Sequence, residues 1–324
     1  YIFAFFATFF LYRSLQPLFI CYDNDKEENF MYLVFDIGGT VIKYCLMNDQ
    51  GQISQQWEFS AQEITSLEMF VASIKKIYLE HKNEVAGIAF SSPGVINAAK
   101  GIIEIIVAHP YLQGVCLTEE ISKACDNIKV TIENDAKCAG LAETWLGNGK
   151  DYQDMVVVVL GTGIGGTIIK NKQIHHGRNL FAGEISTIIV NYDKENHKAL
   201  TWSDIASTTA LCKRVAKVLN VDSIDGYHVF ELANNQDERV LSVLKDFCLD
   251  IAVQLYNLQY IYDPEIILIG GGISKQPLLI KMINEAIDDI NKQTNQLVIP
   301  QVNTCKFYNN ANLIGALYHF FQQK

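Results

Sequence analysis

Two stretches of this chain join an apolar strand to a glycine turn that could wrap an anion. The first runs Leu33-Val34-Phe35-Asp36-Ile37-Gly38-Gly39-Thr40 and continues through Val41 to Met47. The second runs from Met155 to Leu160, through Gly161-Thr162-Gly163-Ile164-Gly165-Gly166, and on to Ile169. Each is a strand, a Gly/Thr-rich turn, a second strand and a polar reversal, Asn48-Asp49-Gln50-Gly51 in one and Lys170-Asn171-Lys172 in the other. Glycines let the backbone approach a bulky anion, and consecutive amide N–H groups in such turns bind phosphate. Gly-Gly between strands also makes ordinary hairpins. Its repetition after two buried strands favours two arms closing on one polyphosphate, with a substrate between them. Asp36 ends the first strand, where it could hold a metal ion bound to the phosphates or satisfy turn amides.

Two further polar clusters stand at strand ends, Glu133-Asn134-Asp135 and Gly270-Gly271-Gly272. Ligands of open α/β sheets collect beyond the carboxyl ends of strands, so four clusters predict one shared cleft. The chain has no Gly-x-x-x-x-Gly-Lys-Ser/Thr, which excludes a P-loop enzyme. Gly161 to Gly166 invites a dinucleotide reading, but a strand follows it where a Rossmann fingerprint needs a helix. Asp135 lies between a strand and a helix, where a carboxylate can face a cleft. Its alternative role is to cap the helix beginning at Ala136.

These clusters require an alternating scaffold. Residues 31–60 read as a three-stranded meander. Apolar spacing predicts a helix over Ser66–His81, a buried strand over Val85–Phe90 ending at Ser91-Ser92-Pro93-Gly94, and a helix over Thr118–Ala124 capped by Thr118. A strand over Val130–Ile132 leads to a helix over Ala136–Leu146, stopped by Gly147. After the second strand pair, Asn171 to Lys198 reads as polar and irregular. Helices are predicted over Thr201–Leu219, Val229–Leu232, Asp237–Ile261, Pro277–Asn291 and Leu313–Phe321, with a buried strand over Glu265–Ile269. Strand, helix, strand in this order argues for largely parallel α/β layers.

A chain of 324 residues is long enough for two domains. A net charge of -10 disfavours nucleic-acid binding, which needs a basic surface. The 8 cysteines form no Cys-x-x-Cys pair, which implies a reducing compartment and speaks against structural zinc. Residues 1–30 are rich in aromatics, but their apolar run is too short to span a bilayer and lacks a basic leader. They are expected to be a non-domain extension ahead of Met31, with a membrane anchor the lesser alternative.

In this order, Asp36-Ile37-Gly38-Gly39-Thr40, Ser92-Pro93-Gly94, Glu133-Asn134-Asp135-Ala136, Gly161 to Gly166, Gly183-Glu184 and Gly270-Gly271-Gly272 resemble the motifs of the ROK family (repressors, open reading frames and kinases) over about residues 31–324. The resemblance implies an actin-like (ribonuclease H-like) ATPase fold. An N-terminal α/β domain would cover 31–145, joined by a C-terminal helix over 311–324, and a larger one 146–310. It implies an ATP- and Mg²⁺-dependent kinase acting on the 6-hydroxyl of a glucose-type sugar or β-glucoside. Asp135 would be the general base. Asp36 (through Mg²⁺), Gly38, Gly39, Thr40, Lys43, Gly161, Thr162, Gly163, Gly165 and Gly166 would meet ATP and its phosphates. Gly270, Gly271 and Gly272 would lie by the adenosine. Gly94, Asn97, Asn134, Asp135 and Glu184 would bind the sugar, although Asn97 could equally cap a turn. A cytoplasmic homodimer is implied, with no nucleic-acid or membrane partner.

Three departures narrow the resemblance. Many members carry a His three residues after the glutamate and then a zinc-binding cysteine cluster. Here that His is Thr187, and Asn191 to Leu200 has no cysteine. His175-His176 are expected on a loop surface and His197 in isolation, so zinc is not expected. A second sugar-contacting glutamate falls about at Ser203, with Asp204 beside it. The runs Leu255 to Pro264, Gly270 to Ser274 and Gly315 to Phe320 look most like the zinc-lacking β-glucoside kinase branch, and the short Thr187 leaves room for a substituted sugar. A glucokinase or N-acetylmannosamine kinase of the same family is the alternative. A sugar-responsive regulator, a non-catalytic sugar-binding protein and another actin-fold ATPase stand further off.

Overall fold

Strand β1 (Met31–Ile37) is buried on both faces, and for that reason reads as an unbroken apolar run. Leu33, Phe35 and Ile37 enter one core, Tyr32 and Val34 another. β1 pairs antiparallel with β2 (Val41–Asn48), and β2 with β3 (Ile53–Ser60). Helix α1 (Leu67–His81) is capped by Ser66, whose hydroxyl accepts from the Met69 amide at 3.3 Å. It leads to β4 (Val85–Ser92), parallel to β1. A hairpin of β5 (Val95–Asn97) and β6 (Ile102–Ile105), then α2 (Leu117–Ala124), precede β7 (Val130–Asn134), parallel to β4. Helix α3 (Asp135–Trp145) leaves directly from the end of β7. The sheet order is β3-β2-β1-β4-β7. The computed structural model describes residues 30–308 and 310–323, so the expectation for the N-terminal extension falls outside the described residues apart from Phe30.

The second half repeats the plan. β8 (Met155–Leu160), β9 (Ile164–Lys170) and β10 (Gln173–Ile174) form the antiparallel side. A hairpin of β11 (Ile189–Asp193) and β12 (Lys198–Thr201) follows, then helices α4 (Trp202–Ala206), α5 (Thr208–Leu219), α6 (Gly226–Asn234) and α7 (Glu238–Tyr262). β13 (Ile266–Gly270) lies parallel to β8; helix α8 (Pro277–Thr294) then leads to β14 (Val302–Thr304), parallel to β13. The order β10-β9-β8-β13-β14 matches the first sheet strand for strand. Two such sheets make the actin-like, ribonuclease H-like fold. The last helix, α9 (Ala311–Gln322), returns to the first sheet, where Leu313, Leu317 and Phe320 pack on Tyr32, Val34 and Ala89. No helix among the described residues is long and apolar enough to cross a membrane.

Several local expectations are corrected. The helix expected over Thr201–Leu219 breaks at Ser207, which is extended (φ -77°, ψ 160°) and caps α5 by accepting from the Ala210 amide at 3.1 Å. The break lets the Thr208 amide reach the Gly161 carbonyl at 2.9 Å, binding α5 to the second glycine turn. The stretch from Asn171 to Lys198 is not irregular throughout, since it contains β10 and most of the β11–β12 hairpin. Thr118 does not cap its helix, which begins at Leu117 with no side-chain cap bond.

Helix α3 stands between the halves and needs small residues on two sides. A Cβ at Gly140 would lie 2.6 Å from the Thr167 methyl on β9. A Cβ at Gly315 on α9 would lie 1.7 Å from the Cys138 carbonyl oxygen, a backbone atom that cannot step aside. Gly315→Ala is therefore expected to lower unfolding stability by roughly 2–3 kcal/mol through overpacking. Urea denaturation should show the midpoint falling with the slope unchanged.

Candidate active site

The β7–α3 junction builds the centre of the site. Asn134 is the N-cap of α3: its Oδ1 accepts from the Lys137 amide at 3.0 Å. Its Nδ2 donates to the Gly94 carbonyl at 2.9 Å and to Asp135 Oδ1 at 3.0 Å. Gly94 adopts φ +100°, and a Cβ there would meet the Ile105 carbonyl oxygen at 2.1 Å, so only glycine fits that turn. Capping thus falls to Asn134, and Asp135 is released from it. Asp135 Oδ1 accepts from the Ala136 amide at 2.8 Å. Burial nevertheless pushes the Asp135 carboxyl up to about 6, the Ala136 amide opposing and the charges of Asp36 and Glu184 adding to the rise. Three carboxylates from separate elements therefore converge on one spot.

Each neighbour has its own support. Asp36, on β1, is raised by burial and drawn back by hydrogen bonds from Ser91 (2.9 Å) and Asn312 (3.2 Å) and by the Lys43 charge. Lys43 stands opposite Asp36 on β2, Ser91 opposite Asp36 on β4, and Glu133 opposite Ser91 on β7, so a polar row crosses four strands in register. Glu184 is raised by burial and lowered by the charge of Lys137, whose ammonium is buried and donates to the Leu180 carbonyl at 3.0 Å.

The two glycine turns flank this centre. In the first, the Gly38 amide donates to the Val41 carbonyl at 3.1 Å, and the Thr40 carbonyl accepts from Ala61 at 2.9 Å. Buried His109 holds it from behind: Nε2 meets the Gly38 carbonyl at 2.8 Å, and Tyr111 Oη lies 3.1 Å from Nδ1. A carbonyl can only accept, so His109 carries its proton on Nε2 and accepts from the tyrosine. In the second turn the Gly161 amide donates to the Gly163 carbonyl at 2.9 Å. A Cβ at Gly165 would lie 3.3 Å from Ala136 Cβ, next to Asp135, and one at Gly166 would lie 2.4 Å from the Gly183 carbonyl oxygen, beside Glu184. A cavity of ≈ 610 Å³ opens beyond this turn, lined by Gly161, Thr162, Thr208, Gly226, Tyr227 and Gly272 among others. Of the third glycine cluster, Gly272 lines the cavity, Gly271 (φ +92°) crosses the Leu160 carbonyl, and Gly270 packs on Cys305.

Other named residues have partners of their own. Asn97 sits on the β5–β6 hairpin, and its Nδ2 donates to Glu104 at 3.1 Å. Asp204 closes a capping box with Thr201 at the start of α4, so its carboxylate serves the helix. Ser203 lies against Gly163, its Oγ 3.3 Å from where a Cβ would stand. The loop-surface expectation holds for exposed His175; His176 also lies in the loop but is only partly exposed, its Nε2 turned inward to 2.6 Å from the fully buried Glu133. Lys137, His109 and Asn312 were not singled out from sequence, because each acts on a partner at least 43 residues away.

A carboxyl raised from the ordinary 3.8 to about 6 costs folding energy once it ionises. That cost is absent below pH 3.8, grows between the two values, and is complete above about 6. Asp135→Asn removes it while keeping an acceptor for Ala136. The variant is expected to gain about 1–2 kcal/mol at pH 8, a few degrees of Tm, and nothing at pH 3.5. Thermal melts at both pH values check the sign.

Comparison with known proteins places this geometry. The ROK family model matches residues 32–323. A β-glucoside kinase of Listeria monocytogenes is 30% identical over 295 residues, spanning 90% of this chain and 97% of the relative. A glucokinase of Halalkalibacterium halodurans is 29% identical over 268 residues, spanning 75% and 81%. A crystal structure of a ROK family protein from Streptococcus pneumoniae in complex with sucrose superposes with a TM-score of 0.83 at 31% identity, covering 90% of this chain and 98% of that one.

Proposed function

The chain belongs to the ROK family, and we propose that it is an ATP-dependent sugar kinase that phosphorylates the 6-hydroxyl of a β-glucoside or glucose-type sugar. What carries this reading is Asp135, a carboxyl held at about 6 at the meeting point of both glycine turns. Phosphoryl transfer asks little covalent chemistry of the protein: it needs positioned phosphates, neutralised charge and a carboxylate to take the hydroxyl proton. Asp135 takes that proton as the oxygen attacks the γ-phosphate. Asn134, Gly94 and Glu184 orient the sugar, with Asn97 on the adjoining hairpin. Gly38, Gly39, Thr40 and Lys43 on one side, and Gly161, Thr162, Gly163, Gly165 and Gly166 on the other, hold the phosphates. Adenosine occupies the cavity lined by Gly272, with Gly270 and Gly271 carrying the chain from β13 to its edge.

Mg²⁺ bound with ATP would supply neutralisation of phosphate charge, and Asp36 is the residue that would hold it. The residues present fit it: Mg²⁺ keeps several waters and takes one or two carboxylates, and Asp36 has only Oδ1 committed to Ser91 and Asn312. The reading assigns no zinc, in keeping with Thr187 and the cysteine-free β11–β12 hairpin. Thr187 folds back, its hydroxyl donating to the Glu184 carbonyl at 3.0 Å, which leaves space beside the sugar for an aglycone. The Listeria monocytogenes β-glucoside kinase favours the same substrate class; the Halalkalibacterium halodurans relative keeps glucose as the second reading. We place the enzyme in the cytoplasm as a homodimer of two-domain subunits without nucleic-acid or membrane partners. The exposed α7 side chains Leu249, Val253, Tyr260 and Ile261 offer a face for the second copy.

The test is ATP- and Mg²⁺-dependent phosphorylation of cellobiose, gentiobiose, glucose and N-acetylmannosamine. Cellobiose-type sugars are expected to show the highest kcat/KM, and a clear preference for free glucose or N-acetylmannosamine would sink the substrate assignment. The kcat of Asp135→Asn should fall about 10³-fold. Because the base works ionised, wild-type kcat/KM should drop about tenfold per pH unit below 6. A Cβ at Gly272 meets nothing within 4 Å, so Gly272→Leu should fold normally. Its side chain would enter the cavity and raise the ATP KM about tenfold, a change of about 1.4 kcal/mol, without moving the sugar KM.

A further inference from the structure

The residues two before and two after Asp135 are both buried charges, and both reach the same loop. Glu133 is fully buried and its oxygens are spent, Oε1 accepting from the Asn134 amide at 2.7 Å and Oε2 lying 2.6 Å from His176 Nε2. Lys137 is 1% exposed and donates to the Leu180 carbonyl at 3.0 Å. The loop from His176 to Glu184 cannot hold its own shape. Gly177, Leu180 and Gly183 all have positive φ (70°, 68° and 89°), and for Leu180 that conformation is strained. Within the loop, two backbone bonds close turns, Ala182 N–H to His176 at 3.1 Å and Glu184 N–H to Phe181 at 3.1 Å. What fixes the loop to the rest of the protein is His176 at its start, the Leu180 carbonyl at its middle and, at its end, Gly183 packed on the Gly166–Ile168 backbone.

We propose that Glu133 and His176 are positioning residues for sugar binding: their hydrogen bond, with the Lys137–Leu180 bond, latches the Glu184 loop against the Asn134-Asp135 junction. This rests on the assignment of Glu184 to the sugar. Glu133 cannot touch substrate, since it has no exposed surface and its oxygens are both occupied. A carboxylate in such a place is costly unless paired, and removing the partner of a buried charge is strongly unfavourable. With the imidazole gone, water can take the place of the partly exposed ring beside Glu133, and the start of the loop loses its bond to β7. The His319 ring on α9, buried and also near Glu133, stays in place on its helix and cannot replace the bond to the loop.

The experiment compares wild type, His176→Ala, His176→Gln and Glu133→Gln by hydrogen exchange and by kinetics. Exchange needs no substrate: amides in 176–188 should exchange faster in His176→Ala, while those around Gly38 and Gly161 keep the wild-type rate. With the sugar that wild type turns over, His176→Ala should raise the sugar KM about tenfold and leave the ATP KM within about twofold, the signature of lost ground-state binding on one side of the cleft. Glu133→Gln should move in the same direction. His176→Gln, whose amide can still donate to Glu133, should recover much of the loss. The latch is overturned if loop exchange in His176→Ala is unchanged, if both KM values rise together, or if His176→Gln is as impaired as His176→Ala. A wild type that phosphorylates no sugar would instead sink the kinase assignment, and the exchange data would still decide the latch.

Discussion

The site depends on one constraint: a carboxylate must be kept where water is scarce and two like charges are near. At Asp135 the opposing effects can be ranked. The first turn of a helix and the Ala136 amide favour the anion. Burial disfavours it and wins, and the Asp36 and Glu184 charges push the same way. The result is a group near 6, weak enough as an acid to be a useful base and still ionised at neutral pH. Had Asp135 capped α3 itself, its charge would have been spent on helix amides. Asn134 performs that task as a neutral residue, so the order Asn-Asp matters chemically, beyond the presence of both types.

Crowding three carboxylates needs compensation, and it comes from elements far apart in sequence. Lys43 and Ser91 reach Asp36 because parallel and antiparallel pairing bring their strand ends into register. Asn312 arrives from the last helix, which ties the C-terminus of the chain to the first glycine turn's strand. Helix α3 carries Asp135 at its start, packs on α9 through Gly315, and faces β9 through Gly140. The same helix therefore sets the depth of the base and the distance between the halves.

Legibility followed burial. β1 and β8 are covered on both faces, so their apolar runs and glycine turns stand out in sequence, and the duplicated order of the two sheets could be anticipated from them. The β11–β12 hairpin was missed because its strands are mostly exposed or half-buried and alternate weakly. The break at Ser207 was missed because a serine within a helical pattern carries no strong stop signal, and the bond from the Thr208 amide to Gly161 that accompanies it joins residues far apart in the chain. His176 looked like a surface residue because its partner is 43 positions away. The available signal was Glu133 itself: a charged residue inside a strand buried from Thr131 to Asn134 demands a partner, and an adjacent pair of histidines in a polar loop was a candidate.

The two sides of the cleft differ in how they are fixed. Gly94, Asn134, Asp135 and the glycine turns are held by strand ends and close backbone contacts, so their positions follow from the sheet cores. The Glu184 loop has three left-handed residues and no sheet pairing between Gly177 and Glu184; it is held by the close approach of Gly183 to Gly166 and by the bonds of His176 and Leu180 to buried Glu133 and Lys137. A fixed half suits the reaction, where an error of a fraction of an ångström between base, hydroxyl and phosphate is costly. A loop held by a few long-range contacts suits recognition, because its path can change without disturbing the strands. In this chain the Thr187 hydroxyl donates to the Glu184 carbonyl and β11–β12 fills the following segment, both on the loop side. Substrate choice can thus shift within this architecture while the β7–α3 junction and Asp135 stay where the cores put them.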